Sequence, residues 1–467
     1  MTNDVVHRLV AALGASVVLD PAALDATRED RSGHRSAWAP LALVCARSVD
    51  EVQAVMRIAS ASATPVVPRG AGTGLAGGAI ASAGSIVLEL SAMNRVLEID
   101  EADELAVVEA GVLNGELNAA LAPHGLWYAP DPASRAISSI GGNIATNAGG
   151  LLCAKYGVTR EAVLGLAVVL ADGRLLRTGR RTVKGVTGYD LTALLTGSEG
   201  TLGVIVEATL RVRPIAPGEV VTVAAAFPDV ERAAAACAAV TAARLRPAML
   251  ELMDAGAIAR IADHLGAEAL AGTPLDGLAP GEAFVIAQGD DVGAAELADR
   301  IAEVFAREGG RTVRSADASE GERLLAIRRA MHPAMASRGE VLIEDVAVPR
   351  SRLAEMFRAI DAIGRRHGLE IPTIAHAGDG NLHPNFVYEG GEVPAHVWLA
   401  ADEMFRTAVA LGGTLTGEHG VGILKRRWLA AELGDDAFEL QRGIKALFDP
   451  AGILNPGVMF PEASGAR

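Results

Sequence analysis

Two short stretches of this chain carry residues suited to chemistry. Residues 374–386 read I-A-H-A-G-D-G-N-L-H-P-N-F, and residues 416–420 read T-G-E-H-G. Three histidines and a glutamate between glycines can supply a metal site and a proton acceptor. Pro372 to Ala377 and Leu382 to Val387 are apolar-rich runs flanking G-D-G-N, which is the pattern of a hairpin. Asp-Gly suits a two-residue type I′ turn, because both central residues need positive φ. With Asp379 and Gly380 as the turn, Gly378 pairs with Asn381, Ala377 with Leu382 and His376 with His383. Directly opposed Cβ atoms lie roughly 4.5–5.5 Å apart, a spacing one divalent cation can bridge. Asn385 shares the face of His383, since strand side chains alternate. Glu418 is the best third ligand, and in an extended segment His419 points away from it towards another group. Two histidines and a carboxylate with open positions suit Zn²⁺, Fe²⁺ or Mn²⁺. A lone histidine among the ten present is usually a surface or satisfied core residue. Two on one hairpin, beside an E-H pair in a second glycine loop, favour the metal.

Several elements must position these residues. Apolar periodicity predicts helices over Val5 to Leu13, Val49 to Ala61 and Leu113 to His124. Short strands are expected at Thr64 to Val67, Ser85 to Leu90, Val96 to Ile99 and Ala106 to Glu109. A hairpin around Asp172-Gly173 joins Val163–Leu170 to Leu175–Thr178, and a strand lies within Thr201 to Arg213. Pro214 and Pro217 then mark a boundary. Beyond it, strands at Val220–Phe227, Met249–Leu252, Ala283–Gln288, Arg311–Arg314 and Glu340–Val348 alternate with helices over Val230–Arg244, Val292–Glu308, Arg323–His332 and Arg350–His367. That alternation predicts an α+β layer. Pro394 to Leu411 is a further helix, with proline at its first position, and residues 448–457 form a turn-rich tail. The expected domains are 1–216 (an N-terminal helical segment 1–37 and a core 38–216), 217–447, and 448–467 returning to the first.

At 467 residues the chain is too long for one core. Its 57 acidic residues against 42 basic ones give a formal charge of −15, which argues against nucleic-acid binding. Cys45, Cys153 and Cys237 are scattered, with no C-x-x-C, so neither a disulfide framework nor a cysteine metal site is expected and the cytoplasm is the natural compartment. No apolar run is long enough for a membrane span. The N-terminus, with Asp4 and Arg8, reads as an amphipathic helix rather than a signal peptide.

Three glycine-rich segments remain. Arg69 to Gly78 contains a literal G-x-G-x-x-G at Gly72, Gly74 and Gly77, but the next strand begins too soon for the helix that a dinucleotide fold requires. Such a run can still turn successive N–H groups towards a pyrophosphate. Pro130–Ser134 with Ser138–Gly150, and Gly197–Ile205, are likewise built of small residues that let backbone approach a bulky ligand. Together they describe a long cleft for an extended phosphate-bearing cofactor.

The ordered set P-R-G-A-G-T-G-L, S-S-I-G-G-N-I-A-T-N-A-G-G, G-S-E-G-T-L-G-V-I, H-A-G-D-G-N-L-H and G-E-H-G-V-G resembles the FAD-dependent D-2-hydroxyacid dehydrogenases of the vanillyl-alcohol oxidase type. That family includes D-lactate dehydrogenase, the glycolate oxidase flavin subunit and D-2-hydroxyglutarate dehydrogenase. The resemblance implies an α+β fold: a two-subdomain FAD-binding domain, plus an α+β substrate-capping domain with an antiparallel sheet. It implies FAD held by Pro68, Arg69, Gly70, Ala71, Gly72, Thr73, Gly74 and Leu75 at the pyrophosphate. Pro130, Asp131, Ser138, Ser139, Gly142, Asn143, Ala145, Thr146, Glu199, Gly200, Gly203, Ile205, His419 and Asn455 would line the rest. Some relatives attach FAD through a histidine in the first glycine loop; this loop has none, so the FAD is expected to be non-covalent. By the same resemblance His376, His383 and Glu418 are metal ligands, with Zn²⁺ the first choice and Mn²⁺ or Fe²⁺ the alternatives. His419 is the base, and Arg328 grips the substrate carboxylate through a two-pronged, charge-assisted contact. Asn385 and His332 are placed near substrate. Ile343 stands where a second carboxylate would need a polar partner, which favours monocarboxylic substrates.

The implied reaction is oxidation of a D-2-hydroxyacid to the 2-oxoacid. The metal acidifies the hydroxyl, His419 takes its proton and the α-hydrogen passes as hydride to flavin N5. The implied partners are the hydroxyacid and an electron acceptor (cytochrome, quinone or electron-transfer flavoprotein). A homodimer and peripheral association with the inner membrane through that acceptor are compatible with this reading. Two rivals stay open: a same-fold flavin oxidase acting on another alcohol without metal, and a flavin subunit that mainly assembles an electron-transfer complex. A two-His-one-Glu hydrolase leaves the glycine segments unexplained.

Overall fold

Ser48, with Glu51 three residues on, opens the helix Val49–Ser62; its side chain accepts the Glu51 N–H at 3.3 Å. The helix buries Val52, Val55, Met56 and Ala59, spacings that keep one stripe inward. It links the strands Ala42–Cys45 and Val66–Arg69, which lie either side of Ile86–Glu89 in a sheet whose order is Val17–Val18, Ala42–Cys45, Ile86–Glu89, Val66–Arg69. The last three run parallel. The computed structural model describes residues 2–277, 279–337 and 339–461. The final residues of the expected tail, 462–467, lie outside that range.

The chain divides into two units, Met1–Gly149 with Gly157–Ile215 and Glu418–Arg467, and Gly150–Tyr156 with Ala216–Gly417. In the first, a second sheet is antiparallel throughout, in the order Val96–Asp100, Leu105–Glu109, Val204–Arg211, Val163–Val169, Leu175–Gly179. One apolar core, including Val44, Leu88, Ile140, Val168 and Val206, serves both sheets. Between Arg69 and Ile86 no helix forms, so the G-x-G-x-x-G run is a loop, as its short reach to the next strand required.

The return to the first unit starts at Glu418 rather than at 448. The helices Arg426–Leu433 and Asp435–Phe448 belong there, with Ile444 and Phe448 packed on its core. An amphipathic helix shows which face is buried but not which core it covers, so the sequence placed this boundary too late. After the second of these helices, Val66 donates its N–H to Ile453 (2.7 Å) and Asn455 donates to Val66 (2.8 Å). The tail thereby lies parallel beside the edge strand Val66–Arg69. Asp449 fixes the turn by accepting the N–H groups of Ile453 and Leu454 at 3.0 and 2.7 Å. Residues 150–156 go with the second unit instead, where Lys155 and Tyr156 both hold Asp290, at 2.5 and 2.7 Å.

The second unit is an eight-stranded sheet in the order Arg311–Arg314, Val221–Phe227, Ala283–Gly289, Met249–Met253, Thr373–His376, Asn381–Tyr388, Glu340–Ile343, with Val346–Ala347 also pairing with Asn381–Tyr388. Every pairing is antiparallel. The expected single strand Glu340–Val348 is therefore two pieces. Pro384 stands opposite the break and cannot donate to the ladder; Glu344 donates to its carbonyl at 3.2 Å and pairing lapses there. The helix Ala395–Ala410 begins one residue later than expected, with Pro394 as its cap. No helix among the described residues is long and apolar enough to cross a membrane.

Candidate active site

The hairpin carrying the two histidines forms, with a different turn. His376 pairs with Asn381 and Ile374 with His383, leaving a four-residue loop, Ala377 to Gly380. The Asp379 and Gly380 N–H groups both reach the His376 carbonyl, at 3.2 and 2.9 Å. Gly380 has φ +96°, while Asp379 is not among the residues with positive φ, so the two-residue type I′ turn is wrong. A Cβ on Gly380 would lie 2.1 Å from the Val348 carbonyl oxygen; close backbone approach, not only turn type, selects this glycine. The partner of His376 moves by two residues, and two is the period of a strand, so the face is unchanged. His376 and His383 become diagonal neighbours with ring centroids 5.0 Å apart.

Beside them lies a residue the sequence reading missed. Glu251, in the apolar strand Met249–Met253, pairs with His376 across the sheet and is fully buried. Its Oε1 is 2.7 Å from His376 Nδ1, and its Oε2 accepts from Arg328 Nε at 2.7 Å. Burial pushes this carboxyl up, but His376 and Arg328 outweigh it and hold Glu251 below the usual glutamate range. The available signal was one glutamate in M-L-E-L-M, a strand with no polar face to put it on. Arg328 closes the helix Ala318–Arg329 with its side chain 12% exposed, whereas Arg329 is half-exposed and pairs with Glu322.

Asn385 is buried, but its amide donates to the carbonyls of His383 and Pro372 at 2.8 and 3.1 Å. These bonds tie Nδ2 to the hairpin backbone. His332 is exposed on the short helix Met331–Ala336.

Asp345, buried in the break between the two half-strands, holds the start of the T-G-E-H-G loop. It accepts the Gly417 N–H at 2.6 Å and the Thr416 hydroxyl at 3.0 Å. Glu418 follows on the next peptide bond, and ligand atoms of His376, His383 and Glu418 lie within 4.8 Å of one another. Two imidazoles and a carboxylate at that spacing suit a divalent cation in both donor chemistry and reach. Past the E-H pair, Glu199 accepts the N–H groups of Val421 and Gly422, both at 2.7 Å. Gly422 has φ +54°, and a Cβ there would overlap the Ala76 carbonyl at 1.8 Å.

The three glycine segments meet. A Cβ on Gly70 would fall 2.4 Å from Ser139 Oγ, and one on Gly200 would press Pro68 at 3.2 Å. Gly197 and Glu199 donate to the carbonyls of Ile144 and Ala145 at 2.9 and 2.8 Å.

Comparison with known proteins fits this arrangement. Residues 216–459 match the family model for the C-terminal domain of FAD linked oxidases, and residues 40–179 match an FAD binding domain. The chain belongs to the FAD-linked oxidases. It is 39% identical over 434 residues to the protein named glycolate oxidase subunit GlcD of Bacillus subtilis, covering 92% of this chain and 90% of that one. It is 38% identical over 411 residues to the D-lactate dehydrogenase of Archaeoglobus fulgidus, covering 87% and 88%. In fold it is similar to p-cresol methylhydroxylase, with a TM-score of 0.80 at 19% identity over 100% of this chain and 98% of that one. It is also similar to 4-ethylphenol oxidase of Gulosibacter chungangensis, at 0.79 and 20% over 98% and 97%. The fold is the expected α+β, vanillyl-alcohol oxidase type, and the protein is an FAD-linked oxidoreductase.

This FAD-linked oxidase keeps polar groups ready where the glycine segments meet. Ser138 Oγ and Asn143 Nδ2 are buried with no hydrogen-bond partner among the described residues, a condition that costs roughly 1–3 kcal/mol for each group unless a ligand relieves it. With glycines that leave no Cβ in the way, they fit a large polar cofactor. Several other expected FAD residues have side chains engaged with protein backbone, among them Ser139 and Thr146 at Gly142 and three with charged or amide groups. Arg69 Nη1 donates to the Ala79 carbonyl at 2.6 Å, and Asn455 Nδ2 donates to the carbonyls of Gly78 and Glu199 at 2.8 and 2.7 Å. Glu199 is the third. Motif spacing locates such a residue without showing whether its side chain faces cofactor or framework.

Burial pushes the Glu199 carboxyl up to about 7 against the opposing pull of the two N–H groups and Lys425. A carboxyl raised above its unfolded value contributes stability that is complete below the unfolded pKa, near 4.5, and lost as pH rises through 7. Glu199→Gln cannot ionise. Denaturant titrations at pH 5 and pH 8 are expected to show a smaller loss of stability across that interval in the variant than in wild type. Equal losses would show that Glu199 does not titrate there.

Proposed function

We propose that this FAD-linked oxidase oxidises a D-2-hydroxyacid of the lactate, glycolate or 2-hydroxyglutarate type, with monocarboxylates preferred, to the 2-oxoacid. The observation that carries the reading is the gathering of His376, His383 and Glu418 around one point, with Arg328 tied to the same glutamate as His376. Relatives named glycolate oxidase subunit and D-lactate dehydrogenase support the substrate class.

In this reading His376, His383 and Glu418 hold one divalent cation, Zn²⁺ before Mn²⁺ or Fe²⁺. That ion supplies Lewis acidity, which lowers the pKa of the substrate hydroxyl. Arg328 spends Nε on Glu251, and the two outer guanidinium nitrogens are the pair a carboxylate can bridge. His419 takes the hydroxyl proton at Nε2, the ring nitrogen 3.9 Å from Glu418 Oε1. FAD, when bound, supplies the two-electron acceptor for the α-hydrogen. Non-covalent FAD follows from the absence of histidine in residues 68–78. Ile343, paired with Asn385, offers no donor to a second carboxylate. A cytochrome, quinone or electron-transfer flavoprotein would reoxidise the enzyme in the cytoplasm or at the membrane face.

Anaerobic titration with D-2-hydroxyacids, following bleaching of the flavin absorbance, tests the reading. D-lactate- or glycolate-class acids are expected to bleach it, with L-lactate far less effective. A flavin that no hydroxyacid reduces would remove the proposal.

A further inference from the structure

Glu251 is a fully buried carboxylate with two cationic or proton-donating neighbours from different elements: His376 on the next strand and Arg328 at a helix end. A buried ion group of this kind is costly to desolvate, and an apolar replacement often stabilises a fold at least as well. Stability alone is therefore a weak reason for it. Its geometry does something more specific. A proton held on His376 Nδ1 by the Oε1 atom, 2.7 Å away, would leave Nε2 as the lone-pair-bearing nitrogen of a neutral imidazole. By binding Arg328 only through Nε, the Oε2 atom fixes the guanidinium plane while leaving its outer nitrogens uncommitted to this pair.

We infer that Glu251 is a positioning residue that sets two parts of the site at once: the tautomer and basicity of His376 as a metal ligand, and the orientation of Arg328 towards the substrate carboxylate. This rests on the metal-dependent hydroxyacid reading above and extends it. One carboxylate shared between the two grips makes metal affinity and substrate affinity respond together when it is altered.

Glu251→Gln keeps the volume and one acceptor oxygen, but it removes the charge and cannot accept from both neighbours as a carboxylate does. Zn²⁺ titration of apo-protein, with FAD content measured in parallel, is expected to show 10–100-fold weaker binding than wild type. KM for the hydroxyacid is expected to rise in the zinc-saturated variant, with FAD content unchanged. Zn²⁺ affinity and KM equal to wild type, with only thermal stability reduced, would overturn the inference and leave the proposed reaction standing. A wild-type protein that binds no Zn²⁺, Mn²⁺ or Fe²⁺ would instead overturn the metal reading itself. Should the variant not fold, ¹⁵N-histidine spectra of the wild-type apo-protein decide: His376 is expected as the Nδ1–H tautomer, and the Nε2–H tautomer would refute the assignment.

Discussion

His419→Ala is expected to retain FAD and slow flavin reduction by hydroxyacid by about 10²–10⁴-fold, the usual range for losing a general base. The residue before it holds one corner of the proposed cation site, and the residues after it are fixed by Glu199. The imidazole is 12% exposed, so solvent is a poor substitute for it. Stopped-flow reduction in a single turnover isolates the step from any electron acceptor. Wild-type rates in the variant would take the proton-accepting role away from His419. Restoration of a slow rate by added imidazole would strengthen it.

Removing the cation should have a still larger effect. Exhaustive chelation is expected to abolish turnover to the limit of detection while the visible flavin spectrum persists, because Ser138, Asn143 and the glycine segments that fit FAD lie apart in sequence from His376, His383 and Glu418. Re-addition of Zn²⁺, Mn²⁺ or Fe²⁺ should restore activity, and the ion that does so at the lowest concentration is the assigned metal. Full activity in protein shown by elemental analysis to be metal-free would refute the requirement. Loss of the flavin spectrum on chelation would show that the ion holds the fold rather than the reaction.

The contrast between hairpin and helix boundaries shows what a sequence discloses. The face shared by His376 and His383 was legible because strand side chains repeat every two residues, and any even shift of register preserves the face. The turn type was not, because it depends on the Val348 carbonyl beside Gly380, a neighbour distant in the chain. The strand pattern around Val66 and Ile86 was legible from apolar runs. The assignment of helix Asp435–Phe448 to the first unit was not, since amphipathic helices do not name their partners. Glu251 was overlooked for the opposite reason to the histidines: it has no motif, only an anomalous burial that becomes visible once the strand lies between its neighbours. For Arg69, Glu199 and Asn455 the motifs specify position along the chain and not the direction of a side chain, and their side chains bond protein backbone.

The clasp of Val66 by Ile453 and Asn455 has a consequence for biosynthesis. The ribosome releases the strand Val66–Arg69 early, yet its outer border stays bare until translation has passed the whole intervening unit. Until then Val66 has neither of the backbone partners that the tail supplies. A premature stop before Asp449 should leave that border permanently open and turn the product towards aggregation.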